Sequence, residues 1–255
     1  MIKEIEICCG SLQSCIAAQN AGAQRVELCS VLSLGGVTPS YGEISQAKNN
    51  LTIDIHVLIR PRQGDFLYSS SEIDVMLEDI EMCAQLEIDG VVLGALDKYG
   101  QVDEDVTKLL TDFAKKNGMS VTFHRAIDVS VNIFKSLDTI AKLGIDRVLT
   151  SGGQNSAFEG IDVIAEMQRR SGGQVVIMPG AGIDSSNIVE IIEKTGVEEV
   201  HFSGSKERDS SMLYRPKSLS FTPEVLGGDY KIKNSSELKI RTIMDVLRKH
   251  KLLSL

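Results

Sequence analysis

Residue types that can do chemistry recur in this chain at short, regular spacings. Glu6 stands two residues before Cys8, Glu27 two before Cys29, His56 four before Arg60 and His201 two before Ser203, while His124 and Arg125 close the phrase SVTFHR. Carboxylates and imidazoles gathered in one place support acid–base catalysis, in which one group takes a proton next to a carbonyl and another protonates the developing oxyanion. Glu27 and His124 are the first candidates for those roles, with Glu6, His56, His201 and Asp128 beside them. Arg60, Arg62 and Arg125 could steady negative charge on a substrate. Lysine is missing from the ends of the strand-like runs, which disfavours a Schiff-base aldolase. A lyase, another type of aldolase or an isomerase remains.

Two further sets carry different chemistry. The phrases TSGG, PGAGI and FSGS hold Ser151, Gly152, Gly180, Ala181, Gly182, Ser203 and Gly204, where glycines would let backbone N–H groups approach an anion. A helix expected from about Asp184 would point its positive N-terminal end at the same place. A tight strand-to-helix turn also needs glycine for its own sake, so the set has a purely structural alternative. The third set is Cys8, Cys9 and Cys29, whose thiolates would select a soft ion such as Cu(I) over harder metals. Neither CxxC nor MxC occurs, and Cys15 and Cys83 fall in helix-like segments. Histidines and carboxylates could take a divalent ion instead, and Asp65, Asp97 and Asp128 could hold it, orient neighbours or cap helices. No HExxH spacing supports the divalent alternative.

The elements that must position these residues are eight short β-branched runs, starting at Ile5, Arg25, Asp54, Val91, Ser120, Arg147, Val175 and Glu199. Helix-like stretches separate them: 12–21, 71–86, 103–116, 133–143, 158–170, 185–194 and, last, 236–250. Five runs follow a glycine placed to end a helix in a left-handed conformation, in NAGAQRVEL, KNGMSVTF, KLGIDRVL, SGGQVVI and KTGVEEV. This repeat predicts a single α/β domain over residues 1–255, a (β/α)8 TIM barrel, with a longer insertion at about 206–234 expected to fold over the mouth. The competing doubly wound sheet would carry a GxGxxG fingerprint, which is missing, and no organic cofactor is indicated. Such a barrel collects its chemistry at the C-terminal strand ends, here Cys8, Cys29, Arg60, Asp97, His124, Ser151, Gly180 and Ser203. Strand alternation turns Glu6 and Cys8 inward together, as it does Glu27 with Cys29, His56 with Leu58 and Arg60, Thr122 with His124, and His201 with Ser203. So much buried polarity demands either internal pairing, with Glu6 and Glu27 bonded to Arg60, Arg125 or a histidine, or a ligand.

Composition narrows the partners. A net charge of -8 without any Lys/Arg run argues against a sequence-independent grip on nucleic acid, leaving a small molecule or copper as the ligand. Neither a membrane span nor a signal peptide is expected from the apolar runs, and five cysteines make an odd set, so reduced thiols in the cytoplasm are expected.

The phrases EICCGSLQSCIAAQNAGAQRVELCS, GGVTPSYG, IRPRQGDFLYS, VTFHRAID, RVLTSGG and MPGAGI resemble the CutC family of copper homeostasis proteins. The likeness runs from the first strand through the eighth. It implies a TIM barrel, a cytoplasmic location, homo-oligomerisation and Cu(I) binding, with the family's cysteines falling at Cys8, Cys9 and Cys29. Its GGxTPS, RPRxGDF and FHRAxD motifs fall at 35–40, 60–66 and 123–128. The tail after Met212 departs from the family pattern. RPRxGDF and FHRAxD contain no soft ligand and resemble a site for an anionic substrate, so a copper protein and a barrel enzyme acting on a phosphorylated or carboxylated molecule both stand.

Overall fold

Each β-branched run becomes a parallel strand, and each interval supplies the helix that covers it. The computed structural model describes residues 1–216, 219 and 228–253. In chain order the elements are β1 (Glu4–Cys9), α1 (Leu12–Ala21), β2 (Arg25–Leu28), α2 (Tyr41–Asn50), β3 (Asp54–Leu58), α3 (Ser70–Gln85), β4 (Gly90–Leu93) and α4 (Glu104–Lys116). They continue with β5 (Ser120–Phe123), α5 (Ile133–Lys142), β6 (Arg147–Thr150), α6 (Ile161–Ser171), β7 (Val176–Pro179), α7 (Ile188–Thr195) and β8 (Glu199–Phe202). A hairpin, β9 (Ser205–Asp209) and β10 (Lys231–Ser235), then leads to α8 (Glu237–Lys249). Ladders join the strands in the order β7-β6-β5-β4-β3-β2-β1-β8, and β7 packs against β8 without a ladder among the described residues. The result is a nearly closed (β/α)8 barrel.

Local chemistry sets the helix limits. Side chains of Ser11, Ser40, Ser69, Asp103, Asn132 and Ser236 accept backbone N–H groups at N-termini, and Ser69 with Glu72 completes a capping box. Gly22 and Gly196 end α1 and α7 with φ of 97° and 68°, the left-handed caps that the sequence predicts. Three helices differ from expectation, the first being α6, which starts at Ile161 rather than Phe158 because Ser156 and Glu159 hold a turn before it. α2 is largely polar, burying only Ile44 and Ala47, so its periodic signal is weak and its Ser40 cap is the stronger cue. α7 starts at Ile188 rather than near Asp184, because the Asp184 carboxylate accepts from the N–H and hydroxyl of Ser186 and holds a turn there.

Alternation divides the strands into two environments. Ile5, Ile7, Val26, Leu28, Val57, Val121, Val148 and Val200 face the helices in one continuous core, each burial contributing about 1.5–3 kcal/mol. Inside the barrel Cys8, Cys29, Leu58 and Val92 form a small apolar layer, with Leu149 and Met178 also buried. Below and above that layer it is polar, as the inward parity of Glu6, Glu27, His56, His124 and His201 requires. The hairpin stands on the β1 edge of the mouth, where Ser235 donates its N–H to Ser14 Oγ at 3.0 Å and its hydroxyl to the Cys8 carbonyl at 3.4 Å. Part of the expected 206–234 insertion lies outside the described residues. Of the described part, nothing lines the mouth cavity.

Candidate functional site at the barrel mouth

The floor of the site is an ion network in which the expected histidine partner is present and the arginine is a different one. Arg25, only 1% exposed, donates Nε to Glu6 at 2.5 Å and Nη2 to Glu199 at 2.6 Å, and Arg147 Nε joins Glu199 at 2.7 Å. Glu6 also accepts His201 Nδ1 at 2.7 Å and lies 3.7 Å from His56 Nδ1. Glu6 therefore pairs with Arg25 and His201, not with Arg60 or Arg125. Arg25 and Glu199 share the inward parity of Glu27 and His201, two residues before each, and that signal would have found them. Burial works to raise the Glu6 pKa, yet Arg25 and His201 hold it well below the usual carboxylate range. Burial likewise opposes the His201 imidazolium, but Cys8, Glu6 and Glu27 outweigh it and raise its pKa well above the ordinary value. His56 is pushed down to about 3 by burial and stays neutral.

Above this floor lie the thiols. Cys8 Sγ donates to Glu27 at 3.1 Å, Cys29 Sγ is directed to the Cys9 carbonyl at 3.5 Å, and His201 Nε2 lies 3.8 Å from Glu27. One ligand atom each from Cys8, Glu27 and Cys29 fall within 4.8 Å of one another. The pKa of Glu27 is raised, chiefly by burial and by the Glu6 charge, with His201 opposing. The Cys8 thiol is pushed up by Cys29 and by burial; at Cys29 the Cys8 contact works downward, but burial and Glu27 raise it. Cys9 does not join them. Its parity turns it into the helix-facing core, where burial and Cys15 push its thiol up.

A cavity of about 500 Å³ opens above the thiols, and Arg60, Phe66, His124, Arg125, Asp128 and Ser203 reach it from other strand ends. Room for two imidazoles comes from β4 and the residue after it: a Cβ on Gly90 would lie 2.5 Å from His56 Nε2, and one on Gly94 would lie 2.7 Å from His124 Nδ1. His124 is pushed down to about 3, first by burial and then by Arg60, so it is a neutral imidazole.

The expected anion cradle is only partly assembled. Ala181, Gly182 and Ser203 line the cavity, but Ser151, Gly152, Gly180 and Gly204 do not. Asp128 explains Ser151: it accepts from Thr150 Oγ1 at 2.5 Å, Ser151 N–H at 3.0 Å, Ser151 Oγ at 2.9 Å and Gly153 N–H at 3.1 Å, a resident anion in the TSGG turn, while Gly152 donates its N–H to Thr150 Oγ1 at 2.9 Å. Gly180 packs against Leu149 and His201, and Gly204 against Ile240 of α8, so both serve packing. Arg125 is matched by Asp128 at 2.7 Å. Arg62 is bound to Glu72, Asp65 and the Leu67 carbonyl in the loop before α3 and does not reach the cavity. Asp65 accepts the Leu67 N–H, and Asp97 those of Tyr99 and Gln101, so both build turns.

Taken with its solved neighbours, the architecture is that of a TIM barrel whose polar groups converge inside the C-terminal mouth. Phosphoribosylanthranilate isomerase from Thermotoga maritima shares the fold alone, at 10% identity and a TM-score of 0.59 over 98% of this chain and 100% of the other. The model of the CutC family matches residues 3–206. CutC of Bacteroides fragilis is 46% identical over 226 residues, 88% of this chain and 89% of the relative, and CutC of Parabacteroides distasonis is 43% identical over 242 residues, 94% and 99%. A crystal structure of CutC from Streptococcus agalactiae, which carries a provisional copper homeostasis name, has a TM-score of 0.75 at 35% identity over 80% of this chain and 99% of the other. The chain belongs to the CutC family. Among the described residues no helix is long and apolar enough to cross a membrane.

Proposed function

We propose that the protein takes part in copper homeostasis by binding Cu(I) through Cys8 and Cys29, with Glu27 beside them. The observation that carries this is the convergence of two buried thiols and a carboxyl within 4.8 Å. Soft sulfur ligands favour Cu(I) over harder ions. Two protonated thiols release two protons as the ion enters, leaving a bis-thiolate complex of net charge minus one, and the His201 imidazolium stands close enough to balance it. Cys9 is left out of the ligand set by its outward parity. All five cysteines are free thiols, which suits the reducing cytoplasm. Anaerobic titration with Cu(I) against a competing chelator tests the assignment. Stoichiometric binding lost in Cys8→Ser/Cys29→Ser supports it; binding retained in a folded double variant overturns it.

A second reading is favoured by one observation, a cavity of about 500 Å³, far larger than an ion requires. In this reading the barrel is an acid–base enzyme of lyase, aldolase or isomerase type acting on a small phosphorylated or carboxylated substrate, with Glu27 and His201 as proton carriers. Thermal shifts across a panel of small metabolites test it, and a melting temperature unmoved by every member would refute it.

A further inference from the structure

Copper binding leaves two buried nitrogen atoms of the same cavity without a role. Arg60 is 4% exposed, and its guanidinium is fixed by backbone carbonyls: Nη1 donates to Leu34 at 3.3 Å and Gly36 at 2.9 Å, and Nη2 to Gly64 at 2.6 Å. Among the described residues no carboxylate pairs with it, the buried Tyr68 hydroxyl lies near the guanidinium, and Nε has no hydrogen-bond partner. His124 is 6% exposed, and its Nδ1 accepts the Ala126 N–H at 3.2 Å. The proton of the neutral ring therefore sits on Nε2, which also has no partner. Phe66 lies against both groups, 4.8 Å from the Arg60 guanidinium carbon and 4.8 Å from the His124 ring centre, and all three line the cavity.

Two orphaned donors and one buried, unbalanced positive charge call for an anionic acceptor, because burying a cation without an anion is costly and native structures rarely leave buried polar groups unpaired. The TSGG turn, a candidate phosphate cradle, is committed elsewhere. Four donors of the TSGG segment are already spent on Asp128, and the positive end of α7 begins beyond Asp184. The two orphaned side-chain donors, Arg60 Nε and His124 Nε2, match in number the two oxygens of a carboxylate. Leu58, Leu149 and Ile183 provide apolar wall for the rest of a small molecule.

We propose that the mouth cavity recognises a small organic acid through its carboxylate, whose oxygens accept hydrogen bonds from Arg60 Nε and His124 Nε2. This deepens the enzyme reading and rests on it, and is independent of copper binding.

The test uses the full chain with 15N-labelled histidine, benzoate as the carboxylate probe and inorganic phosphate as the comparison. Benzoate is expected to shift the His124 Nε2–H signal and phosphate to leave it in place. His124→Phe, which keeps a ring against Phe66, and Arg60→Met should each weaken benzoate binding about tenfold or more. Circular dichroism checks that both variants fold, and the labelled wild-type protein decides the matter if Arg60→Met does not. Phosphate binding tighter than benzoate with the same signal displaced overturns the carboxylate assignment while sparing the enzyme reading. A signal unmoved by either anion, or benzoate affinity unchanged in His124→Phe, also overturns it. The enzyme reading itself falls only if the wider metabolite panel gives no thermal shift.

Discussion

Glu6→Gln removes the one carboxylate that binds both the barrel's buried arginine and its charged histidine. The side chain is fully buried, 2.5 Å from Arg25 Nε and 2.7 Å from His201 Nδ1. Removing one member of a buried ion pair costs about 3–5 kcal/mol. Arg25 retains Glu199 at 2.6 Å and Glu4 at 3.4 Å, which places the loss at the lower end, about 3 kcal/mol. For a chain of this size each kcal/mol moves the melting temperature by about 2–4 °C, giving a fall of about 6–12 °C. The pH dependence has two limbs. Because the folded pKa of Glu6 lies below the usual 4.5, its contribution is present above that value and lost as the pH falls through the folded pKa; glutamine lacks this acid limb. Because the folded pKa of His201 lies above 6.5, its contribution is complete below 6.5 and lost as the pH rises through the folded pKa. Without the Glu6 charge, that alkaline limb moves to lower pH. Thermal melts of both proteins from about pH 2 to pH 9 read these shifts. A melting temperature within about 1 °C of wild type at neutral pH, or an unmoved alkaline limb, would refute the reasoning.

Three other outcomes follow from the same geometry. Cys9→Ser should change Cu(I) affinity by less than about threefold, and wild-type affinity should rise by up to about a hundredfold per pH unit below the thiol pKa values, since two held-up thiols must deprotonate; chelator competition at two pH values measures both. Gly90→Ala places a methyl 2.5 Å from His56 Nε2 and should cost about 1–3 kcal/mol, read as a lower denaturant midpoint with an unchanged slope. Asp128→Asn removes the anion from the TSGG turn and should cost about 2 kcal/mol, with faster amide exchange at Ser151 and Gly153 as its local signature.

The barrel was legible because its cues are local. β-Branched runs, Ser and Asp caps and helix-ending glycines each act within a few residues, and period-two alternation carried Cys8, Glu27, Cys29, His56, His124 and His201 to the interior. The same rule applied two residues further back would have brought in Arg25, Arg147 and Glu199. Their omission left Arg60 and Arg125 as the arginines offered to the buried acids beside a histidine. What no spacing rule could give is where a loop commits its donors. Arg60 is held by carbonyls of Leu34, Gly36 and Gly64, and Asp128 fills a turn from 22 to 25 residues away. Arg62 shows the converse: its motif marks it for the site, yet Glu72 at the start of α3 draws it aside.

The identity of the atoms around copper tests the central claim most directly. X-ray absorption of the anaerobically loaded Cu(I) protein should show two sulfur scatterers, lost together in Cys8→Ser/Cys29→Ser and both retained in Cys9→Ser. A first shell made only of nitrogen and oxygen, or one in which Cys9→Ser removes a sulfur, would contradict it.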